Sequence, residues 1–248
     1  MKKGFTLLEL VISMSMFVVV AAVVAVIQLT AQDTFNQGTV ESDLEQAGIS
    51  AIDIISDNLV DCKIVTAPTA VAGNEYALLT IQVPVLGGIT PTLSYWNDAG
   101  VIYWGANSTQ NYKLKYTWVQ SQDLIAPYNT NDTLTEAADH RDWNKDGDMT
   151  DTFKLGKLVE IRLDAADAAV FTRTICAYVM AGNVNKYDDI NDDGTTDPMF
   201  QFLDAAGTAV ATGGNRVRIN LWLGGRTGAK QNPIIVNVKR EIALLNPQ

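Results

Sequence analysis

The sequence predicts an α+β protein in which a long N-terminal helix, first membrane-embedded and then amphipathic, packs on a mainly antiparallel β-sheet. Three observations predict this class. Residues 10–27 carry no charge, a helical period of apolar residues continues to Cys62, and the rest of the chain alternates apolar and polar residues as half-buried strands do. With 248 residues, of which 47% are apolar, the chain can form one membrane helix and one sizeable globular domain.

The first predicted element is an apolar helix long enough to cross a bilayer. Its 18 uncharged residues, at about 1.5 Å each, span roughly 27 Å, close to the thickness of the hydrocarbon core. In a secretory signal peptide the cleavage site follows the apolar run. Here the only plausible cut follows Gly4 and precedes that run, so cleavage would remove Lys2 and Lys3 and keep the helix. The alternative is an ordinary N-terminal anchor that is never cut.

Residues 4–14 read GFTLLELVISM. This segment resembles the prepilin-peptidase recognition site of the type IV pilin superfamily, which includes pilins and the pseudopilins of type II secretion. The resemblance implies cleavage between Gly4 and Phe5, methylation of the new amine of Phe5, and pairing of Glu9 with the N-terminal amine of a neighbouring subunit. It implies a pilin-like fold and four kinds of partner: other minor pilins or pseudopilins, the major subunit, the prepilin peptidase and the inner-membrane assembly platform.

Glu9 has a physical role that agrees with the resemblance. A carboxylate inside a packed helical bundle is costly unless a cation pairs with it. A methylated N-terminal amine stays cationic, so the Phe5 amine of another subunit can supply that charge. Phe5 and Glu9 are therefore the predicted assembly residues.

These features predict three parts of the chain. Residues 1–4 form a leader peptide, residues 5–29 a transmembrane or filament-core helix, and residues 30–248 a periplasmic or extracellular pilin domain whose helix continues to about residue 62. Before assembly, the protein is expected to cross the inner membrane once, with its globular domain in the periplasm. After assembly it is expected in a filament at the cell surface.

The polar stretch after the anchor keeps the spacing of an amphipathic helix. Its apolar residues follow one another by three or four positions, which places them on one stripe. The stripe consists of Leu44, Ala47, Ala51, Ile55, Leu59 and Cys62. Gly38 and Gly48 weaken the prediction of an unbroken helix, because each costs about 1 kcal/mol relative to alanine.

Strand patterns occupy the remainder of the chain. The clearest are Tyr112–Trp118 and Arg216–Leu223, where large apolar residues alternate with polar ones. Asn97–Gly100 has the composition of a hairpin turn. The other predicted strands are Tyr76–Val83, Thr92–Trp96, Val101–Trp104, Leu158–Leu163, Val170–Met180 and Ile234–Leu244.

Three later segments narrow the resemblance. Residues 53–59, 216–223 and 238–242 resemble the post-anchor helix and closing strands of PilW-type minor pilins and J-type minor pseudopilins. This likeness implies a minor subunit that primes filament assembly near the tip of a type IV pilus or a type II secretion pseudopilus. The outermost subunit of such complexes characteristically lacks the glutamate, so retention of Glu9 places this chain just below the tip. The anchor is common to both machines, so the sequence does not distinguish a pilus from a pseudopilus.

Two acidic loops carry ligand-like chemistry. Residues 142–153 align without gaps with residues 189–200, with oxygen side chains at positions one, three and five and glycine at six, as at the start of an EF-hand loop. Position twelve departs from that loop, because it is phenylalanine in both. The predicted calcium ligands are Asp142, Asn144, Asp146, Asp148 and Asp151 in the first loop, and Asp189, Asn191, Asp193 and Asp197 in the second. Plain Asx turns are the alternative.

The two cysteines, Cys62 and Cys176, permit one disulfide in an exported domain. Both also lie in apolar surroundings, where a cysteine can be a small buried hydrophobe. The sequence leaves both interpretations open.

Composition and motifs argue against two classes of function. Acidic residues exceed basic ones by ten, so the surface should repel nucleic acid. The single histidine, His140, lies beside Arg141 and Asp142 but lacks the asparagine and phosphate loop of a kinase, and no other catalytic motif occurs, so no enzyme is expected. An adhesin-like binding module displayed on the filament, with its five tryptophans lining a ligand surface, is the remaining alternative.

Overall fold

The computed structural model describes residues 7–60, 62–69, 75–82, 113–121, 134–135, 152–164, 166–182, 198–210, 214–225 and 234–244. Within these ranges the chain forms one helix and nine strands. In chain order they are α1 (Leu7–Leu59), β1 (Lys63–Thr69), β2 (Glu75–Gln82), β3 (Lys113–Gln120), β4 (Leu134–Thr135), β5 (Thr152–Leu163), β6 (Ala169–Gly182), β7 (Phe200–Leu203), β8 (Arg216–Gly225) and β9 (Ile234–Ala243). The pairs that these strands form are antiparallel, which confirms the predicted α+β class.

The strands form one sheet in the order β1-β2-β3-β5-β6-β8-β7, with β4 beside β5 and β9 beside β8. Strand β8 is the branch point of this sheet. Its whole length pairs with β9, its first residues pair with β7, and Leu223 near its end lies opposite Val179 of β6. Helix α1 packs across β6, β8 and β9, and the core cluster extends from the helix to residues of β2, β3, β5 and β7.

Six predicted strands match β2, β3, β5, β6, β8 and β9, within a few residues at most ends and six at the start of β5. The prediction missed β1, β4 and β7. Strand β1 contains Pro68, which lacks a backbone donor and reads as a strand breaker, while β4 and β7 are only two and four residues long. The predicted strands Thr92–Trp96 and Val101–Trp104 and the turn Asn97–Gly100 lie outside the described residues.

Helix α1 runs without a break through both glycines. A Cβ atom on Gly48 would lie 2.9 Å from side-chain atoms of Leu223 and Val238, whereas one on Gly38 would have no atom within 4 Å. Gly48 therefore lets the helix approach β8 and β9 closely, and the gain in packing offsets its low helix propensity.

The predicted apolar stripe is the buried side of α1 up to Leu59, and its last member, Cys62, lies just beyond the end of the helix. Its members are at most 6% exposed except Ala47, which is partly buried, and they pack in one cluster with the inward face of β8. The inward residues of β8 are Val217, Ile219, Leu221 and Leu223, all fully buried as the alternating pattern predicted. Ile52 also joins this cluster, so the stripe is wider than the sequence spacing indicated.

A tryptophan braces the middle of the sheet. The indole Nε1 of Trp118 on β3 donates a hydrogen bond to the carbonyl of Val179 on β6, at 2.9 Å, and so reaches across β5. Gly156 of β5 makes room for this ring, because a Cβ atom there would lie 2.4 Å from an indole carbon. The indole ring of Trp118 on β3 thus leaves room only for glycine at position 156 of β5.

Two turns share one construction. The sequence Leu-Asp-Ala-Ala occurs at 163–166 and again at 203–206. In each turn the aspartate Oδ1, of Asp164 or Asp204, accepts hydrogen bonds from the backbone amides two and four residues later, at 2.8–2.9 Å. The residue three positions after each aspartate has a positive φ, of 62° or 86°. Aspartate and glycine tolerate that conformation, so each turn is encoded locally.

The close approach of α1 to the sheet predicts opposite effects for its two glycines. Gly48→Ala should destabilise the protein by about 1–3 kcal/mol, because the added methyl group overpacks the contact with Leu223 and Val238. Gly38→Ala is the matched control and should be neutral or stabilising by up to about 1 kcal/mol. Denaturant unfolding in detergent micelles measures both. Equal stability of the two variants would contradict the packing role of Gly48.

Candidate functional site: the exposed anchor helix

The first part of α1 projects away from the sheet. Each residue from 7 to 39 is exposed, Val40 is the first partly buried residue, and Leu44 is the first buried one. At about 1.5 Å per residue, the exposed segment is roughly 50 Å long. The chain therefore presents a long free helix joined to a globular part.

The surface of this helix is unsuited to water. Leu, Val, Ile, Met and Phe side chains are exposed on all sides of it between Leu7 and Leu29. An apolar surface of this size marks a contact with a membrane or with another protein. Within the described ranges, α1 is the one helix long and apolar enough to cross a membrane. This agrees with a single-pass membrane anchor.

The two polar side chains inside the uncharged run are satisfied by the helix itself. Ser13 donates a hydrogen bond to the carbonyl of Glu9 and Ser15 donates one to the carbonyl of Ile12, both at 2.8 Å. Thr30 bonds in the same way to the carbonyl of Val26 at 3.0 Å. In hydrocarbon an unbonded hydroxyl would be costly, so this geometry lowers the cost of burying the segment in lipid or in a helical bundle.

Glu9 is the one charged residue between Leu7 and Gln32. It lies in the first turn of the described helix and is exposed. Gly4 and Phe5, the other predicted site residues of this region, lie outside the described residues.

The anchor is joined to the sheet by a buried polar network that the sequence did not reveal. Asn58 of α1 donates to the hydroxyl of Tyr116 on β3 at 3.0 Å, and that hydroxyl donates to Glu160 on β5 at 3.2 Å. Arg173 on β6 donates two hydrogen bonds to the two oxygens of Glu160, at 2.9 and 3.1 Å. One carboxylate thus connects the helix end with three strands. No pattern in the sequence indicated this network, because Tyr116, Glu160 and Arg173 meet only through the pairing register of β3, β5 and β6.

Burial determines the protonation of this network. It raises the pKa of Tyr116 well above the ordinary value, and the negative charge of Glu160 adds to that rise. The hydrogen bonds to Glu160 raise the pKa of Arg173. Tyr116 therefore stays a neutral donor and Arg173 a cation. Both oxygens of Glu160 bind protein donors, so the cluster acts as a brace.

A second contact ties α1 to the edge of the sheet. Arg240 on β9 forms a salt bridge with Asp53 of α1, and its guanidinium lies 3.5 Å from the hydroxyl of Ser56. Both side chains are about half exposed, so this contact contributes less than the buried network.

The cysteines are two buried thiols. Cys62 and Cys176 belong to the same core cluster, and the structure contains no disulfide between them. Burial raises the pKa of Cys176 to about 11, which keeps it protonated near neutral pH. A neutral thiol is a poor nucleophile, so Cys176 contributes packing and not reactivity.

The nine predicted calcium ligands lie outside the described residues, and so does His140. Within the described part of the chain, no group of three histidine, cysteine, aspartate or glutamate side chains is arranged to hold a metal ion. The first acidic loop runs directly into β5 and the second into β7, so each leads into a defined strand. Calcium binding stays a prediction.

The tryptophans that the structure describes belong to the sheet. Trp118 is fully buried, and Trp222 on β8 is partly buried. The indole Nε1 of Trp222 is buried without a hydrogen-bond partner. Trp96, Trp104 and Trp143 lie outside the described residues. A core position for Trp118 gives no support to a tryptophan-lined adhesive surface.

Comparison with known proteins agrees with the anchor. Residues 1–25 match the family described as the prokaryotic N-terminal methylation motif. This match supports a type IV pilin-like protein, a class that is structural and interacts with other pilus or pseudopilus components. No curated protein matches the chain. No solved structure matches it either.

The buried hydroxyl of Tyr116 predicts a loss of stability in alkali. Up to about pH 10 both states keep the tyrosine proton, and the stabilisation is complete. Above that pH the unfolded state releases its proton while the folded state retains it, so the free energy of unfolding falls by up to about 1.4 kcal/mol per pH unit. Tyr116→Phe should remove this part of the slope, and near neutral pH it should cost about 1–3 kcal/mol because Asn58 and Glu160 each lose a partner.

Denaturant titrations between neutral and alkaline pH measure both effects. The matched control is Tyr178→Phe, at an exposed tyrosine of β6. Parallel loss of stability in the wild type and in Tyr116→Phe would show that the proton on Tyr116 is irrelevant to the fold.

Proposed function

We propose that the protein is a minor pilin or minor pseudopilin that assembles near the tip of a type IV pilus or type II secretion pseudopilus and primes its growth. The observation that carries this proposal is the exposed apolar half of α1, which has Glu9 in its first described turn. The second half of the same helix packs on an antiparallel sheet. Such a helix can be stored in a membrane and then packed in a bundle, since both surroundings are apolar.

Assembly depends on one charge in that apolar segment. Cleavage after Gly4 creates an amine at Phe5, and methylation leaves it cationic. When the helix enters a bundle, the carboxylate of Glu9 loses its hydration and forms an ion pair with the amine of an adjacent subunit. This ion pair selects the register of the incoming helix. The other exposed side chains of this segment are mostly apolar, and their contacts do not fix the register of the helix.

The position near the tip is supported by sequence likeness and by Glu9. Residues 53–59 lie in the part of α1 that packs on the sheet, and residues 216–223 and 238–242 lie in β8 and β9, which α1 contacts. The segments that resemble PilW-type and J-type subunits are therefore neighbours in the fold. Retention of Glu9 favours a subunit with another above it.

Glu9→Ala tests the assembly role. Insertion into the inner membrane should persist, because removal of a charge makes the helix more apolar. Incorporation into filaments should fall by at least about tenfold, because the incoming amine is then buried without its partner. Immunoblots of membrane and sheared filament fractions measure the two quantities.

Glu41→Ala is the matched control for that experiment, since Glu41 is an exposed carboxylate of α1 beyond the apolar run. It should assemble as the wild type does. Normal incorporation of Glu9→Ala would overturn the pairing mechanism.

Calcium at the two acidic loops is a further part of the proposal. Side-chain oxygens at alternate positions suit a hard cation, and even a weak site of roughly 0.1–1 mM fills outside cells. Chelation by EGTA should then lower the melting temperature by several degrees, with restoration by calcium and not by magnesium. Asp142→Asn combined with Asp189→Asn should abolish the response. An unchanged melting temperature under chelation would rule out a structural calcium ion.

A further inference from the structure

Strand β6 has a long open edge. On one side, its residues from Ala169 to Cys176 pair with β5. On the other side, β8 meets β6 at Val179, opposite Leu223, and within the described ranges no strand pairs with that side before this point. A strand edge of this kind presents a row of backbone N–H and C=O groups that another strand can bind.

Both faces of this segment are exposed as well. Each residue from Ala169 to Thr174 is exposed, including Val170 at 54% and Phe171 at 50%. The guanidinium of Arg162, on the neighbouring strand β5, lies 5.8 Å from the centre of the Phe171 ring. An exposed valine and phenylalanine, with a cation held over the ring, form a small apolar surface along the open edge.

The local backbone determines where an added strand fits. From Phe171 to Thr174, β6 pairs with β5 in regular register, opposite Arg162 to Val159. The register shifts after Thr174 and again before Val179, and Tyr178 between these points has a φ of 60°. Bulges bend a strand, so they carry β6 from its open part to its contact with β8. The regular, open run is therefore Phe171–Thr174.

The charge at this edge is the opposite of the charge of the whole chain. Acidic residues exceed basic ones by ten overall, yet the charged side chains of the open segment and its partner positions are Arg162, Arg173 and Glu160. Glu160 is buried and bonded to Arg173, whose side chain is still 46% exposed. Two arginines against one glutamate leave one excess positive charge beside the exposed apolar residues, while Asp164 and Asp167 lie in the adjoining turn, where Asp167 pairs with Lys113. This edge complements a segment that carries carboxylates and aliphatic side chains.

We propose that the open edge of β6 at Phe171–Thr174 binds an extended acidic segment of a partner protein by strand addition. Backbone hydrogen bonds to the edge supply most of the affinity. Alternate side chains of the partner place carboxylates on the face that carries Arg162, Phe171 and Arg173, and aliphatic groups on the opposite face, beside Thr172 and Thr174. The proposal rests on the hairpin of β5 and β6 alone, so it stands whether or not the chain assembles into a filament.

A designed peptide tests the proposal on the full chain in detergent micelles. The probe is a capped peptide in which glutamate alternates with valine, and the control peptide has lysine in place of glutamate. The glutamate peptide should bind in fluorescence anisotropy, weaken with added salt and protect backbone amides between Phe171 and Thr174 from hydrogen exchange. The lysine peptide should not bind.

Phe171→Glu should weaken binding of the glutamate peptide by at least about tenfold, because the new carboxylate lies on the same face as the glutamates of the peptide and repels them. Ile49→Glu introduces the same charge at an exposed apolar residue of α1 and should leave binding unchanged. Circular dichroism melts confirm that both variants fold.

Three results would overturn the proposal. They are equal binding of the two peptides, protection of amides outside β6, and binding that persists in Phe171→Glu. The same basic and apolar surface also suits an anionic membrane, so vesicles of phosphatidylglycerol provide a further arm. Binding to vesicles together with no binding of the glutamate peptide would replace a protein partner with a lipid surface.

Discussion

The second half of α1 packs against β6, β8 and β9, and this contact joins two parts of the chain that meet different surroundings. The first half of the helix exposes apolar side chains that suit lipid or neighbouring helices, while the second half buries its apolar stripe against the sheet. One continuous helix, Leu7–Leu59, belongs to both parts. Gly48 allows the helix to come close, and the buried stripe from Leu44 to Leu59 supplies the apolar contact.

The polar network at the end of the helix adds specificity that apolar packing lacks. Hydrophobic contacts tolerate small rotations and shifts of a helix, whereas the bonds among Asn58, Tyr116, Glu160 and Arg173 form in one register. A buried carboxylate with three donors is costly to disturb, because a lost partner leaves a charge in a region of low dielectric. The same arginine reaches the surface beside the open edge of β6, so the brace and the proposed docking edge share one residue.

Local signals made most of the elements predictable. The period of 3.6 placed Leu44, Ala51, Ile55 and Leu59 on one buried side, and the period of two placed the inward residues of β8 correctly. The sheet order, the tryptophan that reaches from β3 to β6, and the network around Glu160 were not predictable, since each depends on the register between strands far apart in sequence. Short strands such as β7 were missed for a different reason, because four residues hold too few alternations to form a pattern.

The sequence by itself indicated the apolar anchor and the α+β class, and it predicted a cut between Gly4 and Phe5 and an assembly role for Glu9. These features depend on composition and on spacing within a few turns of chain, which need no knowledge of distant residues. Only the tertiary structure decided that residues 7–39 are exposed, that Cys62 and Cys176 are separate buried thiols, and that no strand of the described ranges pairs with one edge of β6 before Val179. Exposure and strand pairing depend on contacts between residues that are far apart in sequence. The register of the sheet and the packing of the helix determine those contacts.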